Sequence, residues 1–352
     1  MLRVLFAVPV LYFLMQPYPS IAQDKDFASD TDTTLFPANF FDQADPLEIT
    51  LAFDIKKYKK EKSDEEYLPA KLTYTSNTGV PVERDVRVRA RGEYRRNYCF
   101  LPPYWINIKK SDISNDHLAD VKKIKVVSHC KDANVYRGYL IKEYLAYKIY
   151  NIITDYSFKV RLLKVNYIDT GRKNKSSTEM AFMLEPEDLL SERLEAYPLE
   201  MDKLKYSQTD SMLTTTMSVF QFMIGNTDYS VTGRHNLKLL TLKDYTKPSV
   251  IPIPYDFDFS GLVNTNYALP SPKISITKVT ERYFYGMCRS DRLYGEILEL
   301  FVLKKDEIFA LVENFEYISK KNKKYILSYL SEFYAMIEKD SFVEKYFRTT
   351  CE

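Results

Sequence analysis

The carboxylates of Asp228, Asp256 and Asp258 and the side-chain amides of Asn226 and Asn236 crowd one short stretch of this chain. Gly225 to Gly261 reads GNTDYSVTGRHNLKLL, a polar loop, then VIPIPYDFDFSG. An apolar run with helical character, SMLTTTMSVFQFMI, leads in and is broken by Gly225-Asn226-Thr227-Asp228. Two strand-like runs follow, Leu237 to Leu240 and Val250 to Ile253, so Asp228, Asn236, Asp256 and Asp258 fall in loops at their ends. That order suits phosphoryl transfer. One carboxylate orients a hydroxyl or accepts its proton, while an amide and a second carboxylate hold magnesium against ATP phosphates. Asp and Asn also end helices and make turns, so the ordered set carries the reading rather than any one residue.

The elements that must position these loops are numerous. At 352 residues the chain is long enough for a large core, and a composition of 45% hydrophobic and 28% charged residues is that of a folded protein. The net charge of +2 gives no global pull toward nucleic acid. Met1-Leu2-Arg3, an apolar core from Val4 to Met15 and Ser20-Ile21-Ala22 read as a signal peptide over residues 1–22, cleaved near Ala22. No later run is long enough for a membrane helix. The mature chain is therefore expected to be exported, periplasmic or secreted, and not membrane-spanning. Four cysteines in an exported chain suggest disulfides. Cys99–Cys130 is the favoured pair. Cys288 with Cys351 is weaker, because Cys351 sits where a terminus frays.

Residues 23–45 read as a polar linker. Strand-like runs follow at Leu47 to Phe53, Lys71 to Tyr74, Arg84 to Ala90, Tyr104 to Lys109 and Ile124 to Val127. A helix is expected from Asn134 to about Ile152, with Leu140, Tyr144, Leu145 and Ile149 on one stripe. Strands return at Phe158 to Ile168 and Met180 to Leu184, separated by a polar hairpin. Beyond Pro186 the pattern is helical: Pro186 to Leu194, Ser207 to Ile224, Ser290 to Phe301, Lys305 to Val312 and Ile318 to Ile337. The expected fold is α+β and two-lobed, like a protein kinase. An N-terminal antiparallel sheet lobe with one helix (46–185) would precede a mainly helical C-terminal lobe (186–352), with nucleotide between them.

Several stretches carry a family resemblance. Arg89-Ala90-Arg91-Gly92, PPYWINI, VVSHCKDANVYRGYLIKEYLAYKI, GNTDYSVTGRHN and IPYDFDFSG resemble the CotH-type atypical kinases, first known from bacterial spore coats, over roughly residues 84–262. The last two are also similar to HipA-type kinases, and Asp258-Phe259-Ser260-Gly261 looks like a loosened Asp-Phe-Gly. The resemblance implies ATP and magnesium as cofactors and Asp228 as the catalytic carboxylate. It implies Asn236 and either Asp256 or Asp258 as metal ligands, and Glu143 paired with a phosphate-gripping lysine. That lysine is Lys125 or, in the other alignment, Lys109. Two departures stand out. Asp228 and Asn236 are further apart than in ordinary kinases, so the extra residues, Gly233 among them, either loop out or displace the amide. No glycine-rich phosphate loop is present, and Arg91 with its neighbouring arginines is the substitute on offer.

The leading expectation is an exported CotH-like kinase acting on a hydroxyl of an envelope or secreted protein or polymer. The alternative is a non-catalytic, pseudokinase-type binding or envelope-assembly protein. A metal-dependent phosphoesterase using the same carboxylates stands third. His235 beside Asn236 reads as a loop-orienting residue, and Trp105, the sole tryptophan, as a packing residue.

Overall fold

The expected kinase-like, two-lobed arrangement is not what the chain adopts. In the computed structural model, which describes residues 40–76, 78–108, 118, 121–201, 203–244, 246 and 249–352, seven strands close into a mixed barrel. These are β1 (Leu47–Phe53), β2 (Leu68–Thr75), β3 (Pro81–Ala90), β4 (Tyr104–Ile108), β5 (Lys123–Val127), β6 (Val160–Asp169) and β7 (Lys175–Leu184), in the order β1-β2-β3-β4-β5-β7-β6. The closing contact is parallel, β1 on β6, with Leu47 opposite Leu163 and Phe53 opposite Asp169. Alternation identifies each strand but not its partner, so an open antiparallel lobe and a closed barrel look alike from local pattern. The expected export segment and Lys109 lie outside the described residues.

The barrel follows from period-two patterning. In β3, Val82, Val86, Val88 and Ala90 point inward and are buried, while Glu83, Asp85 and Arg87 face out. Leu51, Phe53, Leu72, Tyr104, Val126, Val165 and Tyr167 fill the same interior. The turn Phe40–Asp42 packs Phe40 and Phe41 into this cluster, and Arg161 Nη1 holds the Phe40 carbonyl at 2.9 Å. Past the other end of β1, α1 (Ile55–Glu61), capped by Asp54, adds Ile55 and Tyr58.

A second core joins α3 (Asn134–Ile153) to the rest of the chain. On the outer wall of the barrel, Val160, Leu162, Phe182 and Leu184 meet Leu140, Tyr144 and Tyr147 of α3. Then come α4 (Glu187–Arg193), β8 (Ala196–Pro198), α5 (Ser211–Ile224), β9 (Leu237–Leu242) and β10 (Val250–Pro254); β10, β9 and β8 form a small antiparallel sheet. Helices α6 (Asp291–Leu303), α7 (Lys305–Asn314) and α8 (Lys320–Ile337) and a π-helical turn, Val343–Arg348, complete the chain. Residues Phe36–Glu352 make one compact unit.

Both disulfides form. Cys99–Cys130 has its α-carbons 4.6 Å apart. Cys288–Cys351 also closes, at 4.9 Å, so the expected fraying of Cys351 is corrected. Phe347 stacks on Phe284 at 4.0 Å, and Glu352 bonds Cys288 and Gly286 through its backbone, which anchors the segment. Two disulfides are compatible with an exported protein. Among the described residues no helix is long and apolar enough to cross a membrane.

Candidate functional site

Two loops are stitched together below α5. Gly225 ends that helix in the left-handed conformation, at φ 64°. Its carbonyl accepts the Gly261 amide at 3.0 Å, and the Ile224 carbonyl accepts Leu262 N at 2.9 Å. A Cβ at either glycine would run into the Tyr329 hydroxyl, so the approach of the two loops requires both. Asn226 is buried; its Oδ1 accepts the Asp228 amide at 3.0 Å and its Nδ2 reaches Gln221 Oε1. This turn aims Asp228 into a cavity of about 610 Å³ whose walls include His235, Asn236, Asp256, Asp258 and Arg91.

The long gap between Asp228 and Asn236 is taken up by a tight hairpin. Ser230 and His235 exchange both backbone hydrogen bonds, at 3.1 and 3.0 Å, and the residues between them loop out. Asn236, left-handed at φ 53°, donates from Nδ2 to the Asp228 carbonyl at 2.7 Å and to its Oδ2 at 3.0 Å. The extra residues therefore do not displace the amide. His235 Nε2 lies 3.1 Å from Asp228 Oδ1. Burial raises the Asp228 carboxyl above the ordinary carboxylate range, with His235 and Asn236 opposing.

Asp256 and Asp258 follow β10 in sequence and flank buried Phe257. Asp256 is also left-handed, at φ 67°, and its amide donates to the Tyr147 hydroxyl at 2.7 Å. Glu143 of α3 joins them: one carboxylate oxygen from each of the three lies within 4.8 Å of the others. Between them sits Arg95 of α2 (Tyr94–Tyr98). It pairs with Glu143 through both terminal nitrogens, at 2.9 and 3.3 Å, with Asp256 in a close ion pair, and with Asp258 at 3.3 Å. Asp258 also accepts the Tyr267 hydroxyl at 2.9 Å. The expected partner of Glu143 was a lysine; it is this arginine, because α2 brings the guanidinium between α3 and the loop after β10. Burial raises Glu143 and Asp258. At Asp256 burial works the same way, but Arg95, Lys125 and Arg91 prevail and bring it down to about 2.

Lys125 projects from the outer wall of β5 and stands 4.0 Å from the centre of the Tyr255 ring. Among the described residues it makes no hydrogen bond or ion pair. Burial, then the neighbouring Arg91, depresses its pKa well below the lysine range. Arg91 has a buried Nη1 with no hydrogen-bond partner. Arg91 and Tyr255 line both the acidic cavity and an adjoining slot of about 450 Å³, where Lys125, Trp105, Phe158 and Leu184 supply further wall. Trp105 is thus half-buried on the outer wall rather than in a core. Two cations short of direct partners divide a slot walled by aromatic and charged side chains, Glu185, Glu187 and Asp188 among them, from a cavity holding Asp228.

Arg95 and the direct contact of His235 with Asp228 were not assigned from sequence. The arginine-rich turn after Gly92 was the one signal for Arg95. Comparison with protein-family models and with curated proteins returned no match, so the resemblance to CotH-type and HipA-type kinases rests on the motifs alone.

Proposed function

We propose that this protein binds a nucleoside triphosphate and transfers its terminal phosphoryl group to a hydroxyl of an exported protein or polymer. With no kinase-like two-lobed arrangement, the reading rests on the chemistry of the site. The observation that carries it is the pair of under-partnered cations, Arg91 and Lys125, between slot and cavity. Asp256 acts on both only across a distance, without an ion pair; desolvated cations with no direct partner destabilise a fold, and a phosphate chain spanning the two spaces supplies one. The slot would take the base against Phe158, Leu184 and Tyr255. Asp228, held by Asn236 and facing the cavity, would orient the acceptor hydroxyl and take its proton as the phosphorus–oxygen bond to the nucleotide breaks.

The donor set suits a hard divalent cation, since Asp256, Asp258 and the Asn236 amide offer oxygen only. Asn236 spends its NH₂ on Asp228, which leaves its oxygen for a cation. Magnesium, when bound, neutralises phosphate charge. Arg95 already ion-pairs with Asp256 and Asp258, and this favours a second reading: binding without catalysis, with the arginine as a permanent counter-ion.

Thermal shift with ATP, with and without magnesium, separates these readings when combined with phosphate incorporation into envelope extract. Phosphotransfer expects a magnesium-dependent shift and incorporation. The binding protein expects a shift without incorporation. No shift at millimolar ATP would sink both.

A further inference from the structure

The outer wall of the barrel continues the positive charge away from the cavity. Arg87 and Arg89 point outward from β3, with Arg91 just past its end, at alternate positions roughly 7 Å apart. Trp105 of β4 lies opposite Arg89, and Lys125 of β5 lies opposite Trp105. Lys123 sits two residues before Lys125 on the same outer face. Aromatic rings support these cations: Tyr67 stands 5.2 Å from Arg87 and 4.8 Å from Arg89, and Trp105 stands 5.5 Å from Arg91 and 4.2 Å from Lys123.

None of the five cations forms an ion pair with a carboxylate among the described residues, and Arg89 Nε and Arg91 Nη1 are buried without any hydrogen-bond partner. Two other cations on the outer wall are paired: Lys71 with Glu83 on the far part of β2 and β3, and Lys164 with Glu48. A supported, unpaired row that begins at the cavity is a surface built for an anionic partner.

We propose that the part of this row beyond the nucleotide's phosphates, Arg87, Arg89 and Lys123, docks an extended acidic peptide segment of the acceptor protein, leading its hydroxyl residue to Asp228. Three features select that occupant. Both edges of β3 are taken by β2 and β4, so a peptide cannot add as a strand and must be read through its side chains. Carboxylates at alternate residues of an extended peptide repeat at the same roughly 7 Å as the arginines. The rings of Tyr67 and Trp105 are engaged by cations, which disfavours stacking of sugars or bases.

Calling the peptide an acceptor rests on the phosphotransfer reading; its docking does not. The test is fluorescence anisotropy of a labelled peptide alternating glutamate and serine, against a glutamine–serine control, with no nucleotide present. The acidic peptide is expected to bind at least about tenfold more tightly than the control and to weaken as salt screens the charges. Arg87→Glu with Arg89→Glu is expected to abolish this preference, and the milder Arg87→Gln with Arg89→Gln to reduce it several-fold. Lys345→Glu, on the C-terminal turn, should leave it intact. ATP thermal shift of the same variants should match the unmodified protein, so a failure of docking is distinguishable from a failure of nucleotide binding. Equal binding of both peptides, insensitivity to the arginine variants, or tighter binding of a polyuronate or single-stranded DNA would each overturn the proposal.

Discussion

Arg193 and Arg91 are both partly buried guanidinium groups near the ends of barrel strands, and they are used in opposite ways. Arg193 grips both oxygens of Glu185 at 2.9 Å and donates to the Asp155 and Ser157 carbonyls. It ties the start of β6 to α4 with four of its five N–H groups committed. Arg91 keeps a buried nitrogen unbonded, and its neighbour Lys125 has only the face of Tyr255. A saturated cation holds structure together. An unsaturated one costs stability until a ligand arrives. The contrast assigns Arg193 to the fold and supports the proposed ligand-binding role of Arg91 with Lys125.

The sharpest way to test that division is at the residue the two cations serve. Asp228→Asn should lower phosphotransfer by roughly two to four orders of magnitude with ATP affinity retained. A parallel loss of affinity would move Asp228 from chemistry to ligand binding. On the structural side, Arg193→Ala strands buried Glu185 and should cost about 3 kcal/mol, read from the urea midpoint. Lys125→Met should do the reverse of Arg193→Ala: stability unchanged or slightly raised, with ATP affinity down about tenfold. If Lys125→Met unfolds the protein as readily as Arg193→Ala, the distinction between the two kinds of cation collapses.

The smallest effect concerns Lys142, another buried cation, which burial depresses to about 8 and which donates to the Val263 carbonyl. Its folded pKa lies below the unfolded value, so between about pH 8 and 10 the unfolded chain binds more protons. Stability should then rise with pH by on the order of 1 kcal/mol. Buried tyrosines such as Tyr150 and Tyr167, whose hydroxyls burial pushes well above the ordinary tyrosine range, reverse the trend above pH 10. Urea melts at pH 7.5 and 9.5 should show the gain, and Lys142→Met should lose it.

Local structure was legible where periodicity and breakers agree. Leu47–Phe53 and the start of α3 at Asn134 match the sequence reading, and Gly225 ends α5 as expected. The polar hairpin before Met180 hid half of β7: Lys175 to Thr178 are exposed, so they carry no alternation to read, yet they pair in full with β6. Helix α2 is a single turn with no capping side chain, too short for a period, and with it went the placement of Arg95. The order Asp228, Asn236, Asp256, Asp258 was visible because each follows a recognisable element. Their convergence depends on contacts such as Gly261 on Gly225, which are long-range and leave no local mark.

The parallel seam between β1 and β6 has a kinetic consequence. Leu47 cannot meet Leu163 until strands β2 to β5 and helix α3, which lie between them in the chain, have been placed, which makes closure a non-local and slow event. Until then β1 and β6 each present a bare edge to whatever shares the compartment. A chain made from its N-terminus exposes the β1 edge first and for longest. Its yield should be governed less by final stability than by what shields that edge during the wait.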